Sequence, residues 1–151
     1  MTIAIGCDEA ACDFRDAIKE KLIKQGHEVE DFGAYDKTPV LYPDIGVKVA
    51  QAVAAGQYDR GILICGTGIG MCITANKVPG IRAAVCHDVF STERSRKSND
   101  SQIMCMGARV IAPELGAMLV DTWLKCDFEG GGSAPKVAKI MEYEQQFLKE
   151  K

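Results

Sequence analysis

Short, uninterrupted apolar runs alternate along the chain with longer segments in which apolar residues recur at every third or fourth position. Such runs begin at Ile3, Ile62 and Ile103, and a further predicted strand begins at Ile81, where Arg82 follows the first apolar residue. A run without polar alternation is typical of a strand buried on both faces of a parallel sheet. The longer segments have the spacing of one buried helix face. The pattern therefore predicts strands and helices in alternation.

Strands are predicted at residues 2–5, 28–33, 62–64, 81–86 and 103–107, with a short extended piece at 109–112. Helices are predicted from Phe14 to a C-cap at Gly26, over 43–55, 71–77 and 91–98, from Pro113 to 124, and over 137–148. Residues 91–94 resemble a helix cap. This order predicts an α/β fold over residues 1–151: a single-domain, doubly wound, Rossmann-like parallel β-sheet flanked by helices.

Composition limits the partners of this chain. Its 151 residues carry a net charge of -3, which leaves no basic surplus for nucleic-acid phosphates. No apolar stretch approaches the length of a membrane span, and the first residues lack the pattern of a signal peptide. Seven cysteines without Cys-x-x-Cys spacing indicate reduced thiols rather than a zinc site. We therefore expect a cytoplasmic protein without a nucleic-acid partner, membrane span or metal.

The strand that begins at Ile62 leads into a glycine loop. Cys65 is followed by glycines at every second position, Gly66, Gly68 and Gly70, and then by a predicted helix. A strand, a glycine loop and a helix start form a cradle of N–H groups for an anion. Spacing alone leaves two interpretations open: a thiolate beside an anion-stabilising loop, or a tight turn with a buried structural cysteine.

Neither of two familiar nucleotide-binding motifs fits this loop. A phosphate-binding NTPase loop requires a lysine after its glycines, and none follows here. Met71 stands where a dinucleotide fingerprint has its last glycine. We therefore expect a ligand smaller than a nucleotide.

Polar residues follow other predicted strands as well. Asp8 and Glu9 come after the first strand, and His87 comes after the strand that begins at Ile81. Ligands of doubly wound sheets bind outside the carboxyl ends of the strands. These residues are therefore expected to converge with Cys65 on one cleft.

A series of motifs resembles, in order and at matching intervals, those of the ribose-5-phosphate isomerase B and galactose-6-phosphate isomerase family. The motifs are Gly6-Cys7-Asp8, Asp31-Phe32-Gly33, Tyr42-Pro43-Asp44, residues 64–70, residues 75–83, Asn99-Asp100 and Gly107-Ala108-Arg109-Val110. The resemblance covers nearly the whole chain. It implies an aldose–ketose isomerase of a small sugar phosphate, without metal or other cofactor, and homodimers or tetramers with active sites shared between subunits.

The resemblance also implies roles for individual residues. Cys65 is the base that moves a proton between C1 and C2 through an enediolate, Thr67 assists proton movement, and Asp8 binds hydroxyls or aids ring opening. Backbone N–H groups of the glycine loop, with Asn99, hold the developing oxyanion, as such chemistry requires. The remaining substrate- and phosphate-binding candidates are Gly66, Gly68, Ile69, Gly70, Glu9, Tyr42, Ser98, Arg109, Ser133 and Lys136.

Three departures from the family pattern affect the expected substrate. Glu9 replaces a histidine, Ser98 replaces a ring-opening histidine, and Gly131-Gly132-Ser133 with Lys136 replaces a motif with two phosphate-binding arginines. A four-carbon sugar phosphate cannot close a ring through the hydroxyl that its phosphate occupies. We therefore expect a preference for a tetrose phosphate or another short or linear substrate.

Several alternatives stay open. His87 either supplies the missing acid or is structural, Arg109 either binds phosphate or pairs with a carboxylate, and Lys136 either binds phosphate or is solvated. At the level of function, the alternatives are a catalytically silent sugar-phosphate-binding subunit and an isomerase of unphosphorylated sugars.

Overall fold

A computed structural model describes residues 1–150 of the chain. Within them, five strands form one parallel sheet in the order β2-β1-β3-β5-β4. The strands are β1 (Thr2–Cys7), β2 (Glu28–Asp31), β3 (Arg60–Cys65), β4 (Ala83–Val85) and β5 (Ile103–Gly107). The architecture confirms the predicted α/β class with a doubly wound parallel sheet.

Helices connect and cover the strands. They are α1 (Cys12–Lys24), α2 (Tyr42–Ala54), α3 (Ile69–Asn76), α4 (Val89–Lys97), α5 (Pro113–Lys125) and α6 (Ala134–Lys149). Short 3-10 turns at Glu9–Ala11 and Gly131–Ser133 precede α1 and α6. In residues 1–150, no helix combines the length and apolar character needed to cross a membrane.

The central strand β3 is buried on both faces, as its apolar run predicts. Ile62 and Ile64 lie in the core shared with α1 and α5, which includes Trp123. Leu63 and Cys65 lie in the core shared with α2 and α3. Successive side chains of a strand point to opposite faces, so the register of β3 fixes the side of the sheet on which Cys65 lies.

Two local predictions were wrong. The cap of α4 is Asp88 rather than the 91–94 segment, because the Asp88 carboxylate accepts a hydrogen bond from the Ser91 N–H at 2.8 Å. Residues after Gly107 form a turn rather than an extended piece. The N–H groups of Val110 and Ile111 both donate to the Gly107 carbonyl, at 3.0 and 3.2 Å, and this closes the chain on itself.

The order in which successive strands are added to the sheet reverses between β1 and β3, although the strands themselves are parallel. From β1 the chain moves outward to β2 and then returns to the opposite side of β1 as β3. Connections on the two sides of such a switch point leave a crevice at the carboxyl ends of the strands. Asp8 and Cys65 stand at this crevice, directly after β1 and at the end of β3.

Candidate active site

A cleft of about 300 Å³ opens at the switch point. Its walls come from the ends of β1 and β3, the starts of α2 and α3, and the turn after β5. The residues that line it are Asp8, Glu9, Ala10, Tyr42, Cys65, Gly66, Thr67, Gly70 and Arg109. The structure thus brings together the polar groups that follow two different strands, as their positions in the sequence predict.

The Cys65 thiol lies at the base of this cleft. The residue is 5% exposed, and its Sγ accepts a hydrogen bond from the Gly68 N–H at 3.1 Å. This bond fixes the direction of the sulfur, because the donor belongs to the backbone of the same loop. The side chain is therefore almost covered but still opens onto a polar cavity.

The glycine loop forms the N-terminus of α3. Gly68 is the N-cap residue in a left-handed conformation with φ +79°, and a Cβ there would lie 2.9 Å from the Met106 carbonyl carbon. Thr67 Oγ1 accepts from the Ile69 N–H at 3.2 Å. The first N–H groups of an α-helix have no partner within the helix, so this end of α3 favours negative charge.

Tyr42 and Gly70 are in close contact across the cleft. The ring and hydroxyl of Tyr42 occupy the space that a Cβ at Gly70 would need. Because Tyr42 begins α2 and Gly70 lies in the first turn of α3, this contact sets the separation of the two helices at the wall of the cleft.

Two carboxyl groups line the side opposite the loop. Burial raises the pKa of the Asp8 carboxyl, and the charge of Glu9 adds to the rise, whereas the hydrogen bond from Ala10 N–H and the charge of Arg109 oppose it. Asp8 Oδ1 accepts that bond at 3.0 Å. Glu9 Oε2 accepts a longer bond of 3.4 Å from the Val40 N–H.

Arg109 is the cation of the cleft. Its backbone N–H donates to the Gly66 carbonyl at 3.0 Å, and its guanidinium lies over Gly66. Among residues 1–150, Arg109 forms no ion pair within 4.0 Å. Its charge is therefore not neutralised by a close carboxylate and remains available to an anionic ligand.

His87 does not line the cleft. Its Nε2 accepts a hydrogen bond from the Gly107 N–H at 2.8 Å, behind the glycine loop, and burial lowers the pKa of its imidazole. A Cβ at Gly107 would lie 2.6 Å from the Thr67 carbonyl carbon, so this position supports the loop directly. The geometry favours the structural alternative for His87.

The structure does not bring four other candidates to the Cys65 cleft. Asn99 lines a separate cavity beside β4, and Ser98 Oγ accepts a hydrogen bond from Arg94 Nε at 2.8 Å. Ser133 and Lys136 lie at the start of α6, outside both cavities. Arg94, which also lines the cavity beside β4, was not among the residues singled out from the sequence, although it lies four residues before Ser98.

The fold and the cleft define an α/β protein with a small polar cleft, which contains one thiol, at the carboxyl edge of its parallel sheet. Comparison with known proteins narrows this class. The family model for Ribose/Galactose Isomerase matches residues 3–140. The chain belongs to this family, as its motifs predict, and it is an isomerase.

Close relatives cover the chain almost completely. A D-erythrulose-4-phosphate isomerase from Pectobacterium atrosepticum is 53% identical over 97% of this chain and 97% of its own length. A Ribose-5-P isomerase B from Listeria innocua is 54% identical over 97% of this chain and 99% of its own. The structure of Ribose-5-Phosphate Isomerase B from Clostridium thermocellum has a TM-score of 0.96 at 49% identity, over 97% of this chain and 99% of that one.

Proposed function

We propose that Cys65 is the base of a metal-independent aldose–ketose isomerisation. The chain is an aldose–ketose isomerase of a small sugar phosphate, and the proposal concerns the residues that perform the reaction, the substrate length and the assembly. The observation that carries it is the Cys65 Sγ, which opens onto the cleft while the Gly68 N–H holds it at 3.1 Å.

In the proposed reaction the Cys65 thiolate takes the proton from the carbon next to the carbonyl. The electron pair left behind forms an enediolate, and the backbone N–H groups of Gly66 and Gly70, which line the cleft, stabilise its oxygen. The Gly68 and Ile69 N–H groups instead hold Cys65 Sγ and Thr67 Oγ1 in place. Thr67 Oγ1 moves a proton between the two substrate oxygens. The thiol then returns its proton to the neighbouring carbon, so that the reaction consumes no other reagent.

The other groups of the cleft bind and orient the sugar. The raised pKa of Asp8 suits a carboxyl that shares protons with substrate hydroxyls. Glu9 and Tyr42 face the same space and provide polar contacts to hydroxyls. Arg109, with its charge free of a close carboxylate, and residues Ser133 and Lys136 are proposed to bind phosphate.

The proposed substrate is a four-carbon sugar phosphate. Ser98 cannot act as a ring-opening acid, and its hydroxyl is already engaged by Arg94. The name of the Pectobacterium relative supports this choice, whereas that of the Listeria relative favours ribose 5-phosphate. A panel of phosphorylated and free C4 to C6 sugars tests it. We expect kcat/KM for erythrulose 4-phosphate to exceed that for ribose 5-phosphate by at least about tenfold; the reverse order overturns the tetrose proposal.

The proposed assembly is a cytoplasmic homodimer or tetramer with shared active sites. Cys65 ends β3 at the carboxyl edge of the sheet, whereas Asn99 lies near the opposite edge, before β5 begins. One chain therefore cannot bring both to one substrate, and a second copy is needed. The seven cysteines are all free, which fits a reducing compartment.

Mixing two inactive variants tests the sharing of sites. Cys65→Ala and Asn99→Ala each remove one contribution, and a mixed dimer regains one complete site. After subunit exchange, we expect about a quarter of wild-type activity from the mixture. No recovery, although light scattering shows mixed dimers, would refute shared sites.

Cys65→Ala alone tests the base. Turnover should be abolished, while calorimetric binding of the sugar phosphate stays close to the wild-type value. A wild-type chain that binds sugar phosphates without turnover would support the silent-subunit alternative. Equal turnover of a free sugar and its phosphate would favour the alternative of an unphosphorylated substrate.

A further inference from the structure

A second cavity, of about 470 Å³, lies between α4, α6 and the exposed side of the edge strand β4. Two arginines, Arg82 and Arg94, line it together with Asn99 and several small or hydroxyl-bearing residues. None of the lining residues is an Asp or a Glu. Two cations and the absence of an acidic residue in the lining make this cavity a candidate site for an anionic ligand.

The donors of Arg82 are used by the protein itself. Its Nε donates to the Asn99 carbonyl and one Nη to the Asp100 carbonyl, both at 3.0 Å, and the other Nη contacts Met141 Sδ. These bonds build the turn at Asp100, which has a left-handed φ of +49°. Arg82 also lies 3.5 Å from the Asp100 carboxylate, which partly offsets its charge. It therefore holds the turn that presents Asn99 and offers no free N–H group to the cavity.

Arg94 has a different set of contacts. Its Nε donates to Ser98 Oγ at 2.8 Å, which fixes the direction of the guanidinium along α4. Its terminal nitrogens lie 4.0 Å from Glu93 Oε1 and 3.6 Å from Glu129 Oε2, distances too long for hydrogen bonds. The Arg94 side chain is 35% exposed and reaches the cavity. The guanidinium is thus oriented, and its terminal N–H groups form only long ion pairs with two partly exposed carboxylates.

We propose that Arg94, from the subunit that supplies Asn99, binds the phosphate of the sugar substrate together with Arg109 from the subunit that supplies Cys65. This inference rests on the proposed function, in which Asn99 belongs to the active site. A guanidinium whose Nε is anchored presents two parallel N–H groups, the geometry that matches a phosphate dianion. Ser98 is then a positioning residue for Arg94 and does not itself contact the substrate.

The test compares Arg94→Gln with Lys97→Gln. Lys97 lies on the same helix and contacts the same two carboxylates, Glu93 at 3.0 Å and Glu129 at 3.9 Å, but does not line the cavity. For erythrulose 4-phosphate, Arg94→Gln should raise KM roughly 10- to 100-fold with a much smaller change in kcat. It should weaken binding of inorganic phosphate, measured by calorimetry, by the same factor. Lys97→Gln should leave both within about twofold of the wild-type value.

Two further variants keep the proposal testable. Arg94→Lys should recover part of the phosphate affinity, and Ser98→Ala should raise KM by less than Arg94→Gln does. If Arg94→Gln does not fold, as judged by circular dichroism, Ser98→Ala decides the question through the same two measurements. If KM and phosphate affinity are unchanged in Arg94→Gln, the role of Arg94 is overturned. If that variant does not fold, unchanged values in Ser98→Ala overturn it instead.

The calorimetric arm separates the two proposals. A wild-type chain that turns over no sugar phosphate, yet binds inorganic phosphate in a manner that depends on Arg94, would reject the proposed function and retain the anion site. Turnover by the wild-type chain, with KM and phosphate affinity unchanged in Arg94→Gln, would retain the proposed function and reject the role of Arg94. A wild-type chain that does not bind inorganic phosphate at all would overturn the site.

Discussion

The Gly68 N–H donates a hydrogen bond to the Cys65 Sγ at 3.1 Å, from a residue that lies three positions further along the chain. The donor can point back at the sulfur because Gly68 adopts a left-handed conformation as the N-cap of α3. The same residue therefore orients the thiol and begins the helix whose N-terminus faces the cleft. A change at Gly68 should affect both stability and catalysis.

Gly68→Ala tests this coupling. The new Cβ would meet the Met106 carbonyl and adopt a disfavoured φ, so we expect a loss of about 1–3 kcal/mol in the free energy of unfolding and a large fall in kcat. Gly26→Ala is the matched control, because Gly26 has φ +90° with no atom within 4 Å of its Cβ position. Gly26→Ala should lower the free energy of unfolding but leave kcat unchanged. Urea unfolding and steady-state kinetics measure the two effects, and equal activity in both variants would contradict the coupling.

Asp8→Asn should raise stability at neutral pH while it lowers activity. The folded state raises the pKa of Asp8, mainly by burial, so folding disfavours the ionised form. Above the unfolded pKa the charged carboxylate therefore costs stability, and this cost disappears as the pH falls and the group is protonated. We expect a higher melting temperature for Asp8→Asn at pH 7 and a smaller difference at pH 3. Asp13→Asn, at an exposed position, controls for the change in net charge; a lower melting temperature for Asp8→Asn would contradict this account.

His87 should make stability fall in mildly acidic solution. Its pKa is lowered in the fold, so the neutral form, whose Nε2 accepts the Gly107 N–H, is favoured. The stabilisation is present above the unfolded pKa of about 6.5 and is lost as the pH falls through the lower, folded value. His87→Gln retains a hydrogen-bonding side chain but does not titrate, and should flatten the dependence of the melting temperature between pH 7 and pH 4.

The half-buried His27 provides the comparison for that experiment, because it also carries an imidazole but contacts the chain N-terminus rather than the glycine loop. His27→Gln should leave the acid-sensitive component in place. If both variants retain it, His87 is not its source.

Arg60 should contribute strongly to stability. Its guanidinium donates to the Trp123 and Cys126 carbonyls at 2.7 and 2.9 Å and lies 5.2 Å from the Trp123 ring centroid. Arg60→Leu leaves these buried carbonyls without their donor, so we expect a loss of about 3 kcal/mol in the free energy of unfolding. Urea unfolding measures it. Lys125→Gln, at an exposed position nearby, should change stability by less than about 0.5 kcal/mol, and a similarly small loss for Arg60→Leu would be inconsistent with this assignment.

The sheet and one half of the candidate site could be predicted from local pattern. The apolar run before Cys65 identifies β3, and the glycines after it identify the turn into α3. Because the strands are parallel, residues that follow β1 and β3 had to meet at one edge, which explains why Asp8 and Cys65 share a cleft.

The remaining parts depend on side-chain direction and on longer-range packing. His87 also follows a strand, but β4 is an edge strand, and the ring turns toward Gly107 instead of the cleft. Nothing in the local sequence indicates this direction. Similarly, Asn99 occurs in a recognisable motif, yet only the path of α4 back along the sheet reveals its distance from Cys65. Asp88 was missed as a cap because Ser91 offered an equally good cap three residues later.

The contact between Tyr42 and Gly70 restricts how this pocket can be re-engineered. The aromatic ring fills the volume that any larger residue at position 70 would require, so the two positions cannot vary independently. Enlarging the pocket for a longer sugar would have to begin at Tyr42, with a smaller side chain, and only then would Gly70 tolerate substitution. A library that randomises position 70 alone should return glycine almost exclusively.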